Sequence, residues 1–567
     1  MTGTAGLEAR PWTRAYPPGL SPAAPIAAFP VPTILDRSAK RWGDKTAFEF
    51  RGHAITYRDL KAASEKAARA FAGLGVKPGD RVALLLPNTP YHPFAFFGAL
   101  AAGAVVVHLS PLDAPPVLKH KIADSGARIV VTTDAGGLVD RVLGLAEEPL
   151  VDRVIVGEDA RWAGGYATPL VQEVTGRDAV LSWTDFLGTA VDALPTHEYA
   201  LDDLALLQYT GGTTGMPKAA MLTHRNLSSA VSAYDLWFEG YELSRPGEER
   251  VLLYLPLFHI YGLTAVMLRC LNSGHTVLLR ERFDPNTALD EIEAGATALP
   301  GVPTMWIAIC ATEGFEKRNL SSLKLSASGG APMPVEVAKR FADKTGLELR
   351  GGWGMSETSP AGTNMPPNRP DKPGTIGIPL PGVDLRIVSV ANPTVELKPG
   401  ETGELAVRGP NVTRSYHNRP DENRASFVDG WFLTGDIGHM DQDGFFFIVD
   451  RKKDMIISGG FNVYPQMIEQ AIYEHPDVEE VLVIGVADAY RGEAAKAFVK
   501  LRAGAPELSL DQLRAFLKGR VGPHEMPAEL EIRPALPRTP VGKLSKLELK
   551  QEERAKAVRL ASKGDAA

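Results

Sequence analysis

An apolar run ending near Leu207 opens into Tyr209-Thr-Gly-Gly-Thr-Thr-Gly-Met-Pro-Lys218. Few folds can use such a segment. Gly211, Gly212 and Gly215 free the backbone to turn consecutive N–H groups toward one anion. Thr210, Thr213 and Thr214 add hydroxyls that can donate to that anion or ligate a metal riding on it. Lys218 supplies a point charge. Together they form a nucleotide-phosphate cradle after a strand. It is not a Walker A loop, which has Gly directly before its Lys; Pro217 holds that place and removes an N–H. A plain surface turn has no need of three threonines and a lysine among its glycines.

The flanking pattern says what carries the loop. Arg81–Pro87, Val105–Leu109 and Arg128–Thr132 read as buried strands. Thr56–Leu74, Phe94–Ala102 and Val117–Ser125 read as helices between them. Strand–helix alternation implies a parallel sheet covered by helices. The strand Leu204–Tyr209, the helix after His224 and the strand Val251–Leu255 suggest a second such unit. Shorter strands and turns such as Pro399-Gly400 and Asp443-Gly444 follow from about 374 to 450, a β-rich subdomain. A break falls at Asp450-Arg-Lys-Lys-Asp454. Beyond it, helices at Pro465–Glu474 and Leu510–Gly519 and strands at Val478–Val486, Ala495–Leu501 and Ala528–Arg533 suffice for a small α+β domain of about 100 residues. Lys543–Arg559 reads as a terminal Lys/Glu-rich helix with a solvated face. The expected class is α/β: a large N-terminal domain over 1–450, a hinge at 451–454, and a small mobile α+β domain over 455–567.

Charge narrows the partners. A net charge of −7 offers no electrostatic footprint for nucleic acid. Two cysteines, Cys270 and Cys310, cannot build a disulfide framework and suit a reducing, cytoplasmic setting. The longest nearly apolar run, Pro93–Val107, is interrupted by Gly98 and Gly103 and is too short to span a bilayer. That leaves peripheral membrane association open.

The phosphate segment resembles that of the adenylate-forming superfamily: acyl-CoA ligases, luciferases and peptide-synthetase adenylation domains. Ala219 stands where many members have Gly. The other family motifs follow in order. Ser328-Gly-Gly-Ala-Pro-Met333 is similar to the adenine-side loop, with Gly330, Ala331 and Pro332 against the base. Gly352-Trp-Gly-Met-Ser-Glu-Thr358 resembles a motif usually written with Tyr second and Thr fifth. The resemblance implies that Gly352, Trp353, Gly354 and Met355 line the adenine site. It also implies that Ser356 lies near the α-phosphate and that Glu357 shares Mg²⁺ with Thr210. Trp431-Phe-Leu-Thr-Gly-Asp436 is similar to the ribose motif, and Arg451 matches a second ribose contact. Lys453 occupies the hinge position. Ser458-Gly-Gly-Phe-Asn-Val-Tyr-Pro465 resembles the loop that lines the pantetheine channel, with Gly459, Gly460 and Lys453 toward CoA.

Pro537-Arg-Thr-Pro-Val-Gly-Lys543 is similar to the catalytic-lysine motif, and it fits a pattern acetylated in many family members, which implies a lysine acetyltransferase as partner. His259, in Phe258-His-Ile-Tyr-Gly262, matches a position beside the acyl carboxylate and the thiol path. A lone histidine there could equally belong to the core.

The resemblance spans about Arg10 to Glu553. Arg10-Pro-Trp and Val449-Asp-Arg-Lys-Lys-Asp-Met455 look most like the medium- and long-chain fatty-acid branch. It implies carboxylate + ATP + CoA giving acyl-CoA, AMP and diphosphate, with catalytic roles for Lys543, Lys218 and His259. A homodimer is a further family expectation. The pocket walls expected are Phe258–Gly262, Val302–Trp306, Ser328–Ala331 and Gly352–Gly354. Dicarboxylic and aromatic acids are alternatives; Arg269 or His275 would then pair a second carboxylate. An amino-acid-activating domain would place an Asp near His259 and a carrier domain downstream, and neither is seen. The same motifs serve a luciferase-like oxygenase. A non-catalytic nucleotide module would not need Lys543. Glycine and proline, 55 and 44 of 567 residues, exceed ordinary usage and gather in these loops.

Overall fold

The computed structural model describes residues 4–146, 150–162, 180–195, 197–210, 216–330, 333, 335–367, 369, 372–458, 461–488, 491–538 and 544–564. The chain divides into two compact units. One comprises Met1–Leu385, Val407–Phe432 and Asp443–Phe445; the other comprises Arg386–Ala406, Leu433–Gln442 and Phe446–Ala567. The first unit matches no single stretch of sequence, because the four segments between residues 386 and 445 are shared out between the two.

Two sheets build the first unit. The chain enters through β1 (Thr46–Phe50) and β2 (His53–Thr56), then crosses to β3 (Arg81–Leu84), β4 (Val105–His108), β5 (Ile129–Thr133), β6 (Arg153–Gly157), β7 (Val180–Ser182), β8 (Leu204–Thr210) and β9 (Lys218–Thr223). Strands β3 to β9 form one sheet in the spatial order β7-β6-β5-β3-β4-β8-β9. It is parallel except where β9 folds back on β8. Val105–His108 and Ile129–Thr133 are buried at every position, as a sheet covered on both faces requires. The covering helix Tyr57–Gly73 starts at a capping box in which Thr56 and Asp59 satisfy each other's backbone N–H. Gly98 of the fully buried helix Tyr91–Ala101 lets the two helices touch; a Cβ there would lie 2.7 Å from that of Ala67.

The chain then crosses over to β10 (Arg250–Leu253), β11 (Thr276–Leu279), β12 (Ala298–Gly301), β13 (Leu325–Ser328), β14 (Arg350–Trp353), β15 (Thr363–Asn364) and β16 (Ile378–Pro379). With β1 and β2 these make the second sheet, ordered β16-β15-β14-β13-β12-β10-β11-β1-β2. The second strand–helix unit expected to begin at Leu204–Tyr209 is therefore corrected: β8 belongs to the first sheet, and of these strands only β10 lies in the second. The hairpin β8–β9 occupies the edge beside β4, and the helix His224–Gly240 carries the chain across. Sequence alternation alone does not say which sheet a strand joins.

The strand-rich stretch holds β17 (Asp384–Val388), β18 (Gly403–Arg408), β19 (Phe427–Val428), β20 (Trp431–Met440) and β21 (Phe446–Arg451). The rest of the second unit contains β22 (Ile456–Ser458), β23 (Phe461–Val463), β24 (Val478–Asp488), β25 (Gly492–Leu501) and β26 (Glu529–Ile532). These pair in the order β23-β22-β25-β24, with β26 on β25. Alternation along β24 splits its side chains between two faces. Val481 and Val483 join a core with Ile468, Ile472, Leu513 and Leu517 of the helices Pro465–Tyr473 and Leu510–Leu517. Leu482 and Ile484 face the other way, onto Leu536 and Leu549. The terminal helix runs Leu547–Gly564, four residues later than expected at its start.

Candidate active site

Strands β8 and β9 bring Thr210 and Lys218 opposite each other, and the Thr210 hydroxyl donates to the Lys218 carbonyl at 3.3 Å. Gly211, Gly212, Thr213, Thr214 and Gly215, which join them, lie outside the described residues. The residues at the loop's base converge on a cluster that sequence reasoning found only in part. The Lys218 ammonium sits 3.7 Å from the ring centroid of Tyr416. The Tyr416 hydroxyl donates to Glu357 Oε1 at 2.7 Å. Glu357 is 4% exposed, and its carbonyl accepts the Thr413 N–H at 2.7 Å.

Tyr416 reaches this position because its segment adds itself to β9. His417 N–H donates to the Ala219 carbonyl at 2.9 Å and Met221 N–H to the Ser415 carbonyl at 3.1 Å. A second anchor lies behind: Asp124 accepts from Arg419 at 3.0 Å and from the Tyr209 hydroxyl at 2.8 Å. Burial, then the Glu357 carboxylate, pushes the Tyr416 phenol far above its ordinary range, so it stays a donor. Burial lowers the Lys218 pKa, against the pull of Glu357 and Glu422 and with the push of Arg419. The set is a lysine, a phenol and a carboxylate gathered where the chain enters and leaves residues 211–215.

A hydrogen bond to a buried charged group contributes about 1.5–3 kcal/mol. Tyr416→Phe keeps the ring under Lys218 and removes only that bond. It should lower ATP–pyrophosphate exchange by roughly tenfold or more with an unchanged far-UV spectrum; exchange at the parental rate would mean that the phenol contributes nothing to the reaction.

Glu357 is the middle residue of the short helical turn Ser356–Thr358, which Thr358 closes by accepting Met355 N–H at 3.0 Å. Gly354 has no substitute there: a Cβ would lie 1.3 Å from the Pro360 carbonyl oxygen. Trp353, on β14 beside Gly352, is 8% exposed. Gly362 packs on its ring, where a Cβ would come within 2.4 Å. Gly330 adopts φ 80°, the left-handed region that favours glycine. Ala331 and Pro332 lie outside the described residues.

His259 is partly exposed in the loop before a π-helix, Tyr261–Leu268. Its Nδ1 accepts from Tyr261 N–H at 3.3 Å, which leaves the proton of the neutral ring on Nε2. Two residues that sequence reasoning passed over stand behind it. Gln208 of β8 donates to the Phe258 carbonyl at 3.0 Å, and its amide oxygen meets His108 Nδ1 at 3.0 Å. Burial holds His108 down to about 4, so it is neutral and serves as the donor. The strand that carries the phosphate loop thereby also fixes the backbone beside His259. Gly329 lies against the Tyr261 ring, where a Cβ would sit at 3.0 Å.

Arg269 and His275, expected as partners of a far carboxylate, are core residues. Arg269 lies over Phe238 and 3.9 Å from Asp235. His275 is fully buried; its Nδ1 accepts from Glu249 N–H, and burial pushes it down to about 2. Arg269 is thus engaged within the fold, and His275 is left without a charge to pair a carboxylate.

In the second unit, β20 and β21 set Asp436 opposite Arg451, and the Arg451 Nε lies 2.6 Å from Asp436 Oδ1. Asp436 is fully buried while Arg451 is nearly half exposed. Lys453 is exposed, and its carbonyl accepts from Lys550 at 3.4 Å. Gly459, Gly460 and Lys543 lie outside the described residues.

A buried carboxylate with a threonine hydroxyl suits a hard cation. Among the described residues no group of three or more His, Cys, Asp or Glu could cage a metal. A divalent ion here would be held chiefly through nucleotide oxygens and water, which is how Mg²⁺ usually binds.

The AMP-binding enzyme family model matches residues 35–417, and that of the AMP-binding enzyme C-terminal domain matches residues 467–543. The long-chain-fatty-acid–CoA ligase of Bacillus subtilis is 37% identical over 96% of this chain and 98% of its own. Feruloyl-CoA synthase of an Amycolatopsis is 38% identical over 91% and 97%. Among solved structures, ATP-bound MatB from Rhodopseudomonas palustris is 31% identical, with a TM-score of 0.81 over 92% of this chain and 98% of its own. The o-succinylbenzoate CoA synthetase of Bacillus subtilis in complex with its acyl-adenylate intermediate is 27% identical, with a TM-score of 0.77 over 93% and 99%.

Proposed function

The chain belongs to the AMP-binding enzyme family, and from that premise we propose that it is an AMP-forming acyl-CoA ligase acting on medium- or long-chain fatty acids. The observation that carries the reading is the Lys218–Tyr416–Glu357 cluster at the base of the phosphate loop. In the first half-reaction the fatty carboxylate attacks the α-phosphate of ATP and diphosphate leaves. The loop 211–215 and Lys218 hold the β- and γ-phosphates. Tyr416 fixes Glu357, which with Thr210 would hold Mg²⁺; bound there, the ion offsets phosphate charge. Trp353 packs on adenine. Asp436 accepts from the ribose hydroxyls, with Arg451 beside it. Lys543 bridges the carboxylate and the α-phosphate. This is catalysis by positioning and charge neutralisation.

In the second half-reaction the C-terminal domain turns about Lys453. Lys543 withdraws and Gly459-Gly460 guide the pantetheine arm. The CoA thiol attacks the acyl carbon of the mixed anhydride, its proton is lost, and AMP leaves. His259, with its Nε2 proton, positions the carboxylate and then faces the thiol path. The domain boundaries 1–450, 451–454 and 455–567 belong to this reading.

Fatty acid is favoured because several relatives matched over more than nine-tenths of both chains are long-chain-fatty-acid–CoA ligases. The similarity to feruloyl-CoA synthase keeps an aromatic acid as the second reading. The interior positions of Arg269 and His275 speak against a dicarboxylic acid. Diphosphate release screened over C2–C18 monocarboxylates, dicarboxylates and cinnamates should peak among chains of about eight carbons or more, a preference that apolar burial at about 0.8 kcal/mol per CH₂ would produce. A maximum on a cinnamate would favour the aromatic reading. No helix among the described residues is long and apolar enough to cross a membrane. A cytoplasmic enzyme that meets its substrate at a membrane surface, is silenced by acetylation of Lys543 and works as a homodimer completes the reading.

A further inference from the structure

Residues 539–543 run between two stems that the second unit holds unusually firmly. Ser545 N–H donates to the Pro537 carbonyl at 2.8 Å, and Arg538 pairs with Leu544 in an antiparallel bridge. Beneath them, Leu536 and Leu544 pack on Leu482, Ile484, Phe498 and Leu549. One ion pair pins each stem. On the first, Arg538 pairs with Glu480 of β24. On the second, the Lys546 ammonium lies 2.9 Å from Glu469 Oε1 on the helix Pro465–Tyr473. Glu469 also accepts the Val483 N–H at 2.7 Å. Both members of this second pair are largely buried.

A buried ion pair is a poor way to gain stability, because desolvation offsets the Coulombic attraction. Nor does the terminal helix need it for docking, since Leu549 is already fully buried. Burial works against the Lys546 charge, but Glu469, Asp450 and Asp454 outweigh it and hold the ammonium protonated. Burial raises the Glu469 pKa, with Lys546 pulling the other way. What the pair does achieve is to fix position 546 in three dimensions. Leu544, pinned between the two stems, directly follows Lys543, and adjacent Cα atoms lie about 3.8 Å apart.

We propose that Glu469 with Lys546, and Glu480 with Arg538, are positioning residues that hold the stem of the Lys543 loop for the adenylation half-reaction. The inference rests on the reading of Lys543 as the adenylation lysine. Because Lys543 has no task once the acyl-adenylate exists, loosening its stem must injure one half-reaction only. A purely structural role would injure both, since both need the folded C-terminal domain.

The test uses the full-length enzyme and measures each half-reaction alone: burst formation of acyl-AMP, and thioester formation from supplied acyl-AMP and CoA. Glu469→Gln and Arg538→Gln should each slow acyl-AMP formation roughly tenfold or more while leaving thioester formation within about twofold. Arg538 is the more exposed stem residue; its variant decides the matter if the Glu469 variant does not fold. Equal slowing of both halves by Arg538→Gln, or slowing of neither, overturns the inference. Lys543→Ala runs alongside. If it leaves acyl-AMP formation intact, the reading of Lys543 itself has failed; if it abolishes that step while both stem variants spare it, only the present inference has.

Discussion

Lys543→Ala is expected to slow acyl-adenylate formation by about 10²–10³-fold and to leave thioester formation from supplied acyl-AMP within about twofold of the parent. The attacking carboxylate and the α-phosphate are both anions. Two unit charges 4 Å apart repel by about 4 kcal/mol at an effective dielectric of 20. A positioned ammonium removes most of that barrier, and about 3–4 kcal/mol corresponds to the expected loss. Thiolysis of the mixed anhydride brings no second anion against the phosphate in the same way. ATP affinity by calorimetry should stay near the parental value, because the phosphate loop and Lys218 are untouched. Equal slowing of both half-reactions would contradict the assignment.

Glu357→Gln is the second large effect expected. Glutamine keeps the shape and can still accept the Tyr416 hydroxyl, so the bond that now measures 2.7 Å has a substitute. What is lost is the buried negative charge. Acyl-AMP formation should fall by about 10²-fold or more, and the Mg²⁺ concentration needed for half-maximal rate should rise. Calorimetry on this variant should find weakened MgATP binding, which separates it from the Lys543 variant. Its second half-reaction, which begins only after the diphosphate of ATP has left, should be spared. Adenylation at the parental rate and Mg²⁺ dependence would remove Glu357 from the metal site.

The motifs picked out Glu357, which is buried, and Asp436 and Arg451, which pair, because each lies in a local pattern read against a known family. Tyr416 was not legible. It lies 59 residues from Glu357 and arrives only because its segment pairs with β9. No local pattern marks a tyrosine that completes a site across a sheet edge. Gln208 and His108 were hidden in the same way: both sit in apolar strands, and their bond spans 100 residues. The opposite error befell Arg269 and His275, where charge was legible but burial was not. The β8–β9 hairpin misled the topology, since a strand, a helix and a strand in succession suggest one parallel unit whichever sheets the strands join.

In the proposed reaction a carboxylate oxygen becomes bonded to the α-phosphorus of ATP. Turnover of fatty acid labelled with ¹⁸O in its carboxylate, followed by mass spectrometry of the nucleotide products, tests this directly. One labelled oxygen is expected in AMP and none in diphosphate. Unlabelled AMP, or label appearing in orthophosphate alongside ADP, would contradict it.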